Sequence, residues 1–257
     1  MNVEPLFPNL EALQLWRVAW RFIPFIPLFL SPKTTVIGIR FSDSDPYTDD
    51  ATINSTVTAF PTLCPNLQNI TIYPLPRDPA IAVAVSGMLL ASNLSALRSI
   101  HVDPLLTEEA REAVFNLPDL RELSVVVERD ASLPSLVLPS LTDLTITYDH
   151  ASDWLRVFRG AMLENVVAFT FYSGSEQISG FLEEFEKVAL AAFAQNELSR
   201  FRLHTSCTWK PNYSSLLRFT QLKDLVVEFS YGGVCSSKVD DDVITNLART
   251  MPKLEIL

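Results

Sequence analysis

The chain has few residues whose types and spacing could support chemistry, and none of them forms a complete site. His204 and Cys207 stand three positions apart, as zinc ligands often do, but no second pair accompanies them. The acids Asp240, Asp241 and Asp242 could bind a cation, but they also suit a helix N-terminus, where the helix dipole favours negative charge. The helix start is the preferred interpretation, and the sequence predicts no metal site.

Patterns typical of catalytic and cofactor sites are missing from the sequence. The seven glycines form no phosphate-binding loop, and no serine lies in a G-x-S-x-G turn. We therefore expect no catalytic residue, no cofactor and no enzymatic activity.

A recurring phrase, L-x-x-L-x-L, must position the remaining side chains. Five clear copies begin at Leu10, Leu67, Leu120, Leu141 and Leu222. Five weaker copies begin at Val36, Leu97, Val166, Leu198 and Leu254. Successive copies start 21 to 32 residues apart, around the range of leucine-rich repeats. Each phrase alternates apolar and polar residues, as a half-buried strand does.

Stacked copies of such a strand predict an α/β fold, a leucine-rich-repeat solenoid of about ten irregular repeats. Its curved parallel sheet would form the concave side, with helices and loops on the convex side. Residues 176–195 and 240–250 are predicted helices, and Asp78 and Thr107 mark two further helix starts. The apolar residues 22–30 are too few to span a bilayer and are expected to be buried on the convex side; a lipid-facing patch is the alternative.

The residues between and after the apolar positions of each phrase are expected on the concave face, where solenoids commonly bind partners. The candidate partner-binding residues are Trp16, Arg40, Tyr73, His101, Asp103, Glu122, Asp143, Tyr172, Arg200, Arg202 and His204. The three aromatic residues among them are of the kind that anchors protein interfaces. The set also contains a predicted basic spot (Arg200, Arg202, His204) and a predicted acidic spot (Asp103, Glu122, Asp143). Ordinary solvated sheet positions are the alternative interpretation of each residue.

Composition restricts the class of partner. The net charge of −10 argues against nucleic acid and against an anionic membrane surface, because both require a basic patch. Three widely spaced cysteines make a disulfide framework improbable, which favours an intracellular location, cytoplasmic or nuclear.

Several stretches resemble the repeat units of fungal F-box-type leucine-rich repeat proteins. Residues 26–39 resemble their L-L-L-S-P-S-L-T-S-L-S-L stretch, and residues 60–70 their L-x-x-x-C-P-N-L-x-x-L unit. Residues 115–123 and 136–144 resemble their L-P-x-L-x-x-L units. The resemblance covers essentially the whole chain and implies the substrate-recognition region of a Skp–Cullin–F-box ubiquitin ligase.

The resemblance concerns the repeats and not the F-box, a short helical module expected before them. Residues 1–257 are therefore interpreted as a single leucine-rich repeat domain, a fragment of a longer chain, whose copies start at Leu10 and stop at Leu257. The ligase core would be a partner only if an F-box lies outside this chain, and the target protein is unknown. The alternative is a stand-alone scaffold or regulator unconnected to ubiquitin.

Overall fold

A computed structural model gives the fold of two compact units, Met1–Val126 (unit 1) and Val127–Leu257 (unit 2), which are described one at a time. The structure describes residues 5–42, 50–73, 79–91, 94–103, 106–127, 138–148, 163–173, 198–205, 216–217, 219–229 and 241–256.

The strands are parallel, and within each unit they pair in chain order. Unit 1 contains β1 (Ala12–Val18), β2 (Val36–Phe41), β3 (Asn69–Tyr73), β4 (Ser99–Val102) and β5 (Glu122–Val127). Unit 2 contains β6 (Asp143–Tyr148), β7 (Ala168–Ser173), β8 (Arg200–Thr205) and β9 (Asp224–Phe229). This arrangement is the expected α/β class with a parallel sheet.

Helices connect several of these strands. They are α1 (Asp50–Thr58), α2 (Phe60–Leu63), α3 (Pro79–Leu90), α4 (Glu108–Phe115) and α5 (Asp241–Thr250), with 3₁₀ helices at Trp20–Leu28 and Leu94–Ala96. The start predicted at Thr107 is confirmed, because the Thr107 hydroxyl caps α4 by accepting a hydrogen bond from the Ala110 N–H. The helices predicted after Asp78 and over 240–250 are confirmed as α3 and α5, whereas 176–195 lies outside the described residues.

One face of the strands forms the core and the other is open. Most of the described apolar phrase positions are buried, as Ile37, Ile70 and Leu123 are in unit 1 and Phe169 and Phe201 are in unit 2. The alternate residues lie on the opposite face, which we call the open face. Parallel strands normally have both faces covered, so an open face made of polar and aromatic side chains is the feature that points to binding.

A tight turn before the strands recurs in both units. The N–H at the first phrase position donates to the carbonyl three residues earlier, as Leu67 does to Cys64 at 3.1 Å and Val166 to Leu163 at 3.2 Å. The next two N–H groups share one carbonyl of the preceding copy, as those of Gln68 and Asn69 share Thr35. These bonds identify equivalent residues of different copies independently of the side chains.

The same bonds correct the second copy of the phrase. The strand register pairs Leu13 with Ile37 and Ile37 with Ile70, so this copy begins at Thr34. The start predicted at Val36 is wrong by two residues. Thr34 is buried at the position of a leucine, and its hydroxyl donates to the carbonyl of Leu10 at 2.8 Å.

The expectation of a buried segment over residues 22–30 is correct only for part of its side chains. The 3₁₀ helix Trp20–Leu28 buries Ile23 and Ile26, whereas Phe22 and Phe25 are 49% and 51% exposed. A 3₁₀ helix has three residues per turn, so residues at intervals of three share a face. In the described part of the chain, no helix combines the length and apolar character needed to cross a bilayer.

Candidate functional site

The open face of unit 1 consists of three rows of side chains that run across the strands. Strand pairing brings these side chains into register, with Gln14 beside Gly38 and Trp16 beside Arg40. The rows are Ala12, Val36, Asn69, Ser99 and Glu122; then Gln14, Gly38, Thr71, His101 and Ser124; then Trp16, Arg40 and Tyr73. Trp16 is 64% exposed, which suits it to contact a partner.

A cavity of about 240 Å³ lies in this face, and we call it the unit 1 cavity. It is lined on the open face by Gln14, Trp16, Val36, Gly38, Arg40, Asn69, Thr71, Tyr73, Ser99, His101 and Glu122. Gly38 has no side chain in the middle row, between Gln14 and Thr71. A Cβ atom at Gly38 would lie 3.5 Å from Gln14 Cγ, an ordinary contact, so the gap is a space that a side chain could fill.

The charged groups of the unit 1 cavity differ in how well they are paired. Glu122 Oε2 accepts a hydrogen bond from the Ser99 hydroxyl at 2.8 Å and lies 3.4 Å from His101 Nε2. The Arg40 guanidinium lies over the Tyr73 ring, 5.4 Å from its centroid. Among the described residues, no carboxylate forms an ion pair with Arg40.

The open face of unit 2 carries a network of ion pairs. Arg202 Nη2 donates to Asp224 Oδ2 at 2.6 Å, and Arg200 lies between two acids, 3.6 Å from Asp143 Oδ1 and 3.6 Å from Asp224 Oδ2. Ala168 stands between Asp143 and Arg200 in the strand register. Its small side chain leaves room for the arginine to reach across β7.

A second chain of contacts crosses the same face toward the carboxyl ends of the strands. The rings of Tyr172 and His204 stack with centroids 4.4 Å apart and planes at 13°. His204 Nδ1 lies 2.9 Å from Glu228 Oε2. Three neighbouring strands thus place an aromatic ring, an imidazole and a carboxylate in one row.

These contacts involve the residues of the predicted charged spots. Within the predicted basic spot, Arg200 and Arg202 form ion pairs with Asp143 and Asp224, and His204 contacts Glu228. Within the predicted acidic spot, Glu122 contacts Ser99 and His101 in unit 1, and Asp143 contacts Arg200 in unit 2. Asp103 follows β4 and does not line the unit 1 cavity.

Two residues of the open faces were missed as site residues. Gly38 creates the gap of the unit 1 cavity, and a glycine within a strand pattern is the signal that could have identified it. Asp224 is only 7% exposed and anchors both arginines of unit 2. No feature of the isolated sequence distinguishes Asp224 from the other acids.

The residues first considered for metal binding do not come together where the structure describes them. Within the described ranges, no three His, Cys, Asp or Glu side chains are close enough to hold an ion. Asp241 and Asp242 begin α5, in accord with the helix-start interpretation, whereas Asp240 and Cys207 lie outside the described residues.

Cys64 is a buried thiol with a structural environment. Burial raises its pKa to about 11, against the smaller lowering effects of hydrogen bonds from the Thr34 side chain and the Ser31 backbone. Because the thiolate is the reactive form, this thiol is poorly suited to nucleophilic chemistry.

Comparison with known proteins adds no assignment. No protein-family model matches the chain, and a search of curated proteins gives no match.

Proposed function

We propose that this chain is a non-enzymatic protein-interaction module that binds a protein partner through the open faces that the parallel strands form in each unit. The observation that carries the proposal is the unusual exposure of those faces. The buried side of each strand supplies the core, while the open side presents Trp16 and Tyr172 to solvent at 64% and 40% exposure. Exposed aromatic side chains on a rigid sheet are efficient contact residues because few of their rotamers are lost on binding.

The repeated turn and strand geometry supports the finer proposal of a leucine-rich-repeat solenoid. In both units a copy passes two N–H groups to one carbonyl of the preceding copy, as Arg98 and Ser99 do to Gln68 and as Lys223 and Asp224 do to Ser199. In repeat proteins, each structural unit contacts only its neighbours, and this is their defining property.

The sequence resemblance extends this proposal to a biological role. We infer that the chain is the substrate-recognition region of an F-box-like ubiquitin-ligase adaptor. The alternative is a scaffold or regulator unconnected to ubiquitin. It would bind its partner through the same residues but would not associate with ubiquitin-ligase subunits.

The experiment is quantitative proximity labelling in cells, using the complete chain and its longest natural transcript. Trp16→Ala and Tyr172→Ala each remove an open-face aromatic side chain. Phe25→Ala and Ile244→Ala are matched controls, because Phe25 and Ile244 are 51% and 43% exposed but lie on helices. Truncating a central aromatic residue of an interface costs about 2 kcal/mol or more, so labelling of the true partner should fall at least roughly tenfold.

The outcomes separate the two levels of the proposal. Labelling that falls with the open-face variants but not with the helix variants supports the binding module. Equal loss with both sets contradicts it. Recovery of cullin-type ligase subunits supports the adaptor role, and their absence from the natural full-length protein excludes it in favour of the scaffold.

A further inference from the structure

The unit 1 cavity contains a cation, Arg40, for which the described residues provide no carboxylate partner. Its guanidinium carbon lies over the Tyr73 ring, 5.4 Å from the ring centroid. This contact uses the π face of the ring and does not require the guanidinium N–H groups. A guanidinium can donate two parallel hydrogen bonds to one carboxylate through these groups.

The other charged group of the cavity is already engaged. Glu122 accepts from Ser99, which is buried, and contacts His101. A carboxylate with these contacts has less to gain from a cationic ligand than Arg40 has to gain from an anionic one. Glu122 lies on β5 and Arg40 on β2, so an anionic ligand at the Arg40 end of the cavity would meet a positive charge that no described carboxylate pairs with.

The size and lining of the cavity restrict the ligand further. A volume of about 240 Å³ is below the range of about 300–1,000 Å³ typical of small-molecule sites. It suits one side chain of a peptide. Trp16 supplies an apolar wall for the stem of that side chain, and the missing side chain at Gly38 supplies the space.

We propose that the unit 1 cavity binds an aspartate or glutamate side chain of a protein partner, with its carboxylate on Arg40 and its stem over Gly38 beside Trp16. This inference rests on the proposed open-face binding and names the chemistry of one contact within it. A lone arginine on an acidic protein suits the single charge of a carboxylate better than the nearly double charge of a phosphate group.

The test is a titration followed by ¹H–¹⁵N NMR of the complete chain. The probes are the N-acetyl, N-methylamide forms of glutamate, glutamine and lysine, together with inorganic phosphate. We expect the glutamate probe to shift the Trp16 indole and Arg40 Nε signals saturably at millimolar concentration. The glutamine and lysine probes and phosphate should leave both signals in place.

Two variants and one control locate the binding. Gly38→Val fills the space with a residue favoured in strands, so the fold is retained while the saturable shift is lost. Arg40→Gln should weaken binding by roughly tenfold or more, the usual effect of losing a charged hydrogen bond. Arg21→Gln is the control, because Arg21 lies over the Phe22 ring at the same 5.4 Å but does not line the cavity.

Each result bears on the inference. Saturable binding of the lysine probe or of phosphate in place of glutamate overturns it, as does glutamate binding that survives both Gly38→Val and Arg40→Gln. A failed titration combined with partner labelling that still depends on Trp16 would refute the carboxylate pocket and leave the proposed binding function standing.

Discussion

Two carboxylates on β9 show how burial changes the contribution of an ion pair to stability. The Asp224 side chain is 10% exposed and accepts from Arg202 at 2.6 Å, whereas the Glu228 side chain is 66% exposed and lies 2.9 Å from His204. Water screens the outer pair and competes for its hydrogen bonds, so its net contribution to stability is small. The inner pair is shielded, and its loss leaves two arginines without their shared partner.

Asp224→Ala is therefore expected to lower the free energy of unfolding by about 2 kcal/mol. This loss is smaller than that for breaking a fully buried ion pair, because both arginines remain partly exposed. The Asp224 Oδ1 atom is buried and has no hydrogen-bond partner in the described part of the chain, so removing it relieves a desolvation cost and moderates the loss of stability. Glu228→Ala should cost less than about 1 kcal/mol. Urea unfolding followed by circular dichroism measures both, and equal losses would contradict the assigned role of burial.

At the scale of elements, the turns before the strands are linked by side chains as well as by the backbone. Asn66 Nδ2 donates to the carbonyl of Pro32 in the preceding turn at 3.3 Å, and Asn165 donates in the same way to the carbonyl of Pro139. The two asparagines occupy equivalent turn positions, and each faces a proline in the turn before it. A polar clip of the same design thus occurs in both units.

Replacing either asparagine by alanine is expected to lower the unfolding free energy by about 0.5–1 kcal/mol, the net value of a typical hydrogen bond. Lys33→Ala is the control. Lys33 Nζ donates to Asn9 Oδ1 at 2.8 Å from a comparable turn position, but ordering its flexible stem offsets most of the gain. Thermal unfolding of the three variants provides the measurement. A loss with Lys33→Ala as large as those with Asn66→Ala and Asn165→Ala would show that the clip is not specific.

The elements that sequence patterns predicted well are those in which one periodicity dominates. Strand positions and open-face rows follow from alternation, because a residue and its second neighbour must share a face. The second copy was misplaced because Ile37, Ile39 and Phe41 are all apolar and buried, so two alignments fit equally well. Only backbone pairing distinguishes them, and the polar Thr34 at a leucine position concealed the correct start.

The site was harder to predict because its contacts cross between strands. Residues close in sequence, such as Arg200 and Arg202, were grouped into a basic spot, whereas their acidic partners lie on other strands, Asp143 on β6 and Asp224 on β9. The acidic residues that pair with these arginines lie in the rows of side chains on the same open face. Which acid pairs with which arginine depends on how far each side chain reaches. The proposed role of Arg40 likewise depends on its having no carboxylate partner among the described residues, and no sequence pattern predicts that.

At the scale of the whole molecule, the acidity of the chain sets the range over which an acidic partner can be recognised. A net charge of −10 repels such a partner at long distance, but screening confines that repulsion to about 8 Å at physiological salt. The attraction of Arg40 acts only at contact, beside Trp16 and Tyr73. Recognition by this face is therefore expected to depend on shape and direct pairing more than on electrostatic steering.

Because each strand pairs only with the strands next to it in the chain, a core substitution is expected to destabilise the neighbouring strands most. In unit 2, β8 pairs with β7 and β9, and the fully buried Phe201 of β8 lies 6.1 Å from the Phe169 ring of β7. Phe201→Ala should create a cavity costing about 3–5 kcal/mol. Because each strand relies on its neighbours, amide hydrogen exchange should accelerate most in β7, β8 and β9 and less in β6.

Ile37→Ala provides the matched experiment in unit 1, because Ile37 is fully buried in β2 and pairs with Leu13 of β1 and Ile70 of β3. Exchange should accelerate in β1, β2 and β3 more than in β5. Mass spectrometry of peptides from each strand measures the gradient. In Phe201→Ala, amide exchange that accelerates in β6 as much as in β7 to β9 would contradict this expectation. In Ile37→Ala, the contradicting result is exchange that accelerates in β5 as much as in β1 to β3. Either result would indicate that the unit unfolds as one cooperative body, without the nearest-neighbour coupling expected of stacked repeats.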